Sequence, residues 1–188
     1  RIVKRGIYGY TRWNHHDFKS SITTYFKRRF DTDMEEDWIL YSPSVMYSVS
    51  LLIRLLSQPH DKVLTMNPMY DAFINVIKEN DRELVSHHLI KEEGTFKIDF
   101  DVFEKQAQES ALLLLCSPHN PTGRIWNDEE MHRMIEICKK YQVKIISDEI
   151  HMDIRIKDAK HHPLMKYYGE YKDIFTASSS SKTLNTPG

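Results

Sequence analysis

Near the middle of the chain, Ala111-Leu-Leu-Leu-Leu-Cys116 constrains the fold more than any other segment. A continuous apolar run reads as a strand covered on both faces, which is the habit of parallel sheets flanked by helices. The surrounding sequence alternates in the same sense. Residues 62–66, 83–90, 143–147 and 173–177 have strand character. Residues 70–80, 99–109 and 128 to about 141 have helical character, with Met131, Met134, Ile135 and Cys138 on one face of the last. Asn67-Pro68 and Gly94 mark turns. Alternating strands and helices predict a three-layer α/β/α fold with a mainly parallel sheet and right-handed crossovers.

Upstream, Phe18, Ile22, Tyr25, Phe26 and Phe30 are spaced for one face of a helix over 15–30. Residues 38–41 form a short extended run. Ser42-Pro-Ser44 offers a turn and an N-cap for an apolar helix over 45–57. Lys27-Arg28-Arg29 reads as a solvated helix face. With a formal charge of −1, nothing points to nucleic acid or an anionic membrane. No apolar run approaches the ~20 residues that cross a bilayer. Cys116 and Cys138 read as buried thiols of a reducing compartment, so a cytoplasmic location is expected. There is no initiating Met, and the sequence stops shortly after the Ser178–Ser181 run. The chain reads as a piece of a longer protein, incomplete at both ends.

In sheets of this kind, ligands sit beyond the carboxyl ends of the strands. Three polar segments follow buried strands: Ser117-Pro-His-Asn-Pro-Thr-Gly123, Asp148-Glu-Ile-His151 and Ser178-Ser-Ser-Ser-Lys182. Singly, each has an ordinary explanation as a cap, a turn or a solvated lysine. The pairs His15-His16, His87-His88 and His161-His162 do not make a metal site, since adjacent residues on a strand face opposite ways. Ser179-Ser-Ser-Lys182 also fits the Ser-x-x-Lys pattern of penicillin-binding enzymes, which needs further motifs downstream.

Together, an amine, a carboxylate and an amide on neighbouring strand ends suit an aromatic aldehyde. Lys182 could hold pyridoxal 5′-phosphate (PLP) as a Schiff base. Asp148 could keep the pyridine nitrogen protonated, Asn120 could bond the phenolic oxygen, and Tyr70 could stack on the ring. The amides at Ser44, Val45 and Met46 could receive the phosphate at a helix start.

The ordered motifs Asn120-Pro-Thr-Gly123, Ser147-Asp-Glu149 and Ser179-x-x-Lys182 resemble the class I/II aminotransferase superfamily of fold-type I PLP enzymes. Gly9-Tyr-Thr-Arg-Trp13, Ser42-Pro-Ser-Val-Met-Tyr47, Pro68-Met-Tyr-Asp-Ala-Phe73, Cys116-Ser-Pro-His119 and Asp148-Glu-Ile-His-Met-Asp153 narrow the likeness to MalY/PatB-type cystathionine β-lyases. Many aminotransferases carry Tyr where His151 stands. Ser180, where Gly is usual, and Thr186, where an apolar residue is common, depart from the pattern.

The resemblance implies that residues 1–188 are part of a large PLP-binding domain, without the C-terminal small domain, its substrate-carboxylate arginine, and an N-terminal closing segment. It implies that Lys182 holds the cofactor and moves the substrate's α-proton. Asp148, Asn120 and Tyr70 would contact the ring, and the Val45 and Met46 amides with the Ser179 hydroxyl would hold the phosphate. His151 would lie nearby, and Tyr10 would cross a homodimer interface into the partner's site. The implied activity of the full-length protein is carbon–sulfur β-cleavage of cystathionine or cysteine S-conjugates to a thiol, pyruvate and ammonia, the 188-residue piece alone being inactive. An aminotransferase is the alternative among enzymes, and a non-catalytic binding protein the alternative of another class.

Overall fold

The apolar run is the middle strand of a five-stranded, all-parallel sheet in the computed structural model, which describes residues 14–154 and 159–186 with Lys4, Gly6 and Gly9. Two compact units are present, residues 1–41 and 42–188. In the first, α1 (His16–Phe30) is capped by the His15 ring, which accepts from the Asp17 amide at 3.2 Å. Its rings Tyr25, Phe26 and Phe30 pack with centroids 5.7–6.3 Å apart. Lys27 pairs with Asp31 and Asp33. The extended run expected over 38–41 begins one residue late: Glu36–Trp38 is a 3-10 turn, and the chain becomes extended at Ile39.

The second unit opens with α2 (Val45–Leu56), where the Ser44 hydroxyl accepts from the Tyr47 amide at 3.2 Å. Strand β1 (Lys62–Asn67), helix α3 (Asp71–Glu79) and strand β2 (Glu83–His88) follow. The single strand expected over 83–90 ends early. After Leu89 donates to the Asn67 carbonyl at 2.8 Å, the chain leaves the ladder and forms a separate hairpin. Its arms are β3 (Ile90–Glu92) and β4 (Thr95–Lys97). Helix α4 (Phe100–Gln108), capped by Asp99, leads into β5 (Leu112–Cys116). Helix α5 (Asp128–Tyr141) starts from a capping box, in which Asn127 and Glu130 satisfy each other's backbone amides. Strands β6 (Lys144–Asp148) and β7 (Ile174–Ala177) and the single turn α6 (Ser180–Thr183) complete the unit.

The strand order is β2-β1-β5-β6-β7. Side-chain alternation divides the core in two. Val63, Leu112, Leu114, Cys116, Ile146 and Ala177 pack with Val45, Val49 and Ile53 of α2 and with Phe73, Val76 and Ile77 of α3. Leu64, Met66, Leu113, Leu115, Ile145 and Ile174 pack with Phe103 of α4 and with Met131, Met134, Ile135 and Cys138 of α5. This is the expected three-layer arrangement. Each fully buried leucine of β5 contributes about 2 kcal/mol relative to exposure. Both cysteines are free and buried. Among the described residues no helix is long and apolar enough to cross a membrane.

Candidate active site at the carboxyl rim

Strand register brings the three polar segments together. Cys116 pairs with Asp148, and Asp148 with Ala177, so β5, β6 and β7 end level with one another at a spacing of about 4.8 Å. Asn120 lies four residues beyond one end and Lys182 five beyond another, with Asp148 on the strand between them. Strand β1 ends beside β5, and three residues on stands Tyr70, 38% exposed, with its ring edge-on to Phe73 at 5.9 Å.

The loop after β5 is rigid for local reasons. The His119 amide donates to the Arg124 carbonyl and the Gly123 amide to the His119 carbonyl, both at 2.7 Å. Gly123 takes φ +71°, which a side chain would oppose. The Trp126 indole N–H donates to the Cys116 carbonyl at 3.0 Å, and its ring lies 5.3 Å from that of His119. The Asn120 backbone N–H donates to the Cys116 sulfur at 3.4 Å, and among the described residues the Asn120 side chain has no hydrogen-bond partner. Burial, followed by the nearby Asp148 carboxylate, pushes the Cys116 thiol up to about 12, so it is no nucleophile at neutral pH.

Alternation separates two adjacent acids. Asp148 follows Ile146 on the α2 side, whereas Ser147 and Glu149 face the α5 side. Asp148 is 5% exposed and accepts from the Ile150 amide at 3.1 Å; among the described residues it meets no cation. Burial raises its pKa to about 6, with the Glu149 charge adding to the rise and the Ile150 amide opposing it. Glu149 is fully enclosed and fully used. It accepts from the Ser147 hydroxyl at 3.0 Å and the Leu164 amide at 2.8 Å, and meets His161 Nε2 at 3.2 Å. Its role was not legible from its place in the motif. His161, twelve residues on in a loop, stood out in the sequence only as half of a histidine pair, with nothing to link it to Glu149.

Lys182 sits in α6, and its side chain is exposed. Among the described residues its amine meets no hydrogen-bond or ion-pair partner. Burial and then the Lys182 charge lower the pKa of His151, which places the two near each other. The Ser179 hydroxyl oxygen accepts from the Ser181 amide at 3.1 Å, leaving its proton free to be donated. At the start of α2, Val45 joins the buried cluster that holds Cys116 and Ala177. The first amides of that helix, Val45 and Met46, have no acceptor within it. Tyr10 lies outside the described residues. Among those described, no group of three or more His, Cys, Asp and Glu side chains could hold a metal ion.

Sequence and structure comparisons place the chain among known proteins. It is 31% identical over 99% of its length to cystathionine beta-lyase PatB of Bacillus subtilis, and 35% identical over 98% to the protein MalY of Escherichia coli. The crystal structure of a PLP-bound C-S lyase from Staphylococcus hominis superimposes with a TM-score of 0.93 at 30% identity, covering 98% of this chain and 49% of that one. The chain spans 49% of PatB and 47% of MalY, about half of each. Since the model of the family "Aminotransferase class I and II" matches residues 3–188, the chain belongs to that family.

Proposed function

We propose that this chain binds PLP at the carboxyl rim of its sheet and forms part of a carbon–sulfur β-lyase acting on cystathionine or related cysteine S-conjugates. The observation that carries the reading is the state of the polar groups there. Among the described residues, a buried carboxylate without a cation lies at one strand end, an amine and a side-chain amide without partners lie just beyond its two neighbours, and two helix-start amides have no acceptor within their helix. Such a set fits PLP group by group. A protonated pyridine nitrogen supplies the charge Asp148 lacks, an aldehyde carbon suits the Lys182 amine, a phenolic oxygen suits Asn120, and a phosphate suits the amides of Val45 and Met46 with the Ser179 hydroxyl.

When bound, PLP supplies an electron sink that stabilises negative charge at the substrate's α-carbon. The protein's residues do the rest. Asp148 holds the proton on the pyridine nitrogen. Lys182 Nζ takes the α-proton, and its exposed position leaves it within reach of solvent and substrate. Tyr70 covers one face of the ring, and His151 lies beside the lysine as an uncharged neighbour. The rest of the full-length protein would supply the substrate-carboxylate arginine. A cytoplasmic homodimer, with Tyr10 reaching the partner's site, completes the proposal.

Transamination shares the same proton abstraction, and the family model's own description favours it as the second reading. Cystathionine supplied to the full-length protein should give pyruvate without any added 2-oxo acid. Amino transfer that depends on a 2-oxo acid, with no pyruvate formed, would contradict the lyase reading.

A further inference from the structure

A lysine that forms a covalent bond and moves a proton must be held in orientation, yet α6 is only four residues long. One turn of helix is marginal in water on its own. Ser179 caps it, and it closes through the Leu184 amide on the Ser180 carbonyl at 2.8 Å. Those bonds fix the turn internally but do not fasten it to the sheet. Fastening comes from the loop after β6. The Glu149 amide donates to the Ala177 carbonyl at 2.9 Å, and the Ser178 hydroxyl donates to the Glu149 carbonyl at 3.3 Å. Among the described residues, one side-chain hydrogen bond reaches the lysine-bearing turn from outside it: Thr183 Oγ1 donates to Asp153 Oδ2 at 2.7 Å.

We infer that Asp153 and Thr183 are a positioning pair for Lys182, a carboxylate and a hydroxyl that set the rotation of the α6 turn relative to Asp148. The inference rests on the reading of Lys182 as the PLP lysine. Thr183 is the next residue after Lys182, so a hydroxyl pinned at one side of a single turn fixes the direction in which the neighbouring side chain leaves. The inference gives neither residue a contact with the cofactor or the substrate. Their effect is on geometry, where small misplacements of a reacting group are expensive.

The test uses the full-length protein loaded with PLP, with visible-region circular dichroism of the bound cofactor as the measure of its orientation. Thr183→Val keeps the side-chain shape and removes the donor. It should alter the visible dichroism and lower kcat by about tenfold with KM within about twofold, the loss expected for one bond to a charged acceptor. Thr183→Ser and Asp153→Asn, which keep a donor and an acceptor, should stay near wild type. Asp153→Ala combined with Thr183→Val should be no worse than Asp153→Ala alone, because the bond between the two residues is already lost in that variant. If Thr183→Val does not fold, Asp153→Ala provides the same readings from the other loop.

A lowered melting temperature with unchanged dichroism and kcat would assign the pair to stability alone and overturn the inference. Absence of any Lys182-dependent visible band in the wild-type protein would instead overturn the cofactor reading. A Lys182-dependent band whose dichroism neither variant alters overturns only the positioning role.

Discussion

Asp148 and Glu149 are consecutive acids at the end of one strand, both buried, and the structure treats them in opposite ways. The α5 side surrounds Glu149 with a hydroxyl, an amide and an imidazole until its acceptors are used. On the α2 side Asp148 has one amide and, among the described residues, no cation. One side of the sheet is finished as structure. The other is left short of a partner, and a buried carboxylate kept in that state costs stability unless something arrives to share its charge. Period-two alternation is what divides the roles, because adjacent residues on a strand cannot face the same environment.

The largest expected effect falls on the finished side. Glu149→Ala leaves the Ser147 hydroxyl, the Leu164 amide and His161 buried without their acceptor, and should lower stability by about 3 kcal/mol in chemical denaturation. PLP bound per folded molecule should be unchanged. If Glu149→Ala were as stable as wild type, the contrast between the two acids would fail.

Next comes Asp148→Asn, which keeps the bond from Ile150 but cannot hold a charged pyridine nitrogen. Activity with PLP should fall about a hundredfold or more. In the cofactor-free protein the same change should stabilise. Burial raises the carboxyl from 3.8 to about 6, so between those values the folded chain holds a proton the unfolded chain has released. Wild-type stability therefore falls as pH rises through that window and stays low above it. Asp148→Asn should exceed wild type by about 2 kcal/mol at pH 7–8, with the gain fading below pH 4. An Asn variant that is less stable at neutral pH would show that the carboxylate already has its partner within the protein.

The smallest effect belongs to Asn120→Ala. A donor to the phenolic oxygen favours its ionised form, so its removal should raise the pH at which the PLP band changes by about one unit.

Much of this division could be read before any coordinates, and the reasons are local. The limits of α5 follow from Asn127, Glu130 and a 3.6-residue apolar spacing, and β5 from an unbroken apolar run. Asp148, Asn120 and Lys182 follow from the rule that polar residues beyond parallel strands gather at one rim. The strand order was not legible, because pairing between β1 and β5 joins residues far apart in the chain. The break between β2 and β3 was hidden by Ile90, whose apolar side chain suggests a continuing strand although it is 49% exposed. Nor could the sequence disclose His161 or the Thr183–Asp153 bond, since both depend on how loops fold back over β6.

Borohydride reduction of the PLP-treated full-length protein, followed by peptide mass analysis, tests the central assignment most directly. A pyridoxyl group fixed on the peptide carrying Lys182, and absent after Lys182→Ala, is the predicted result. A label spread over other lysines, or none retained, would contradict it.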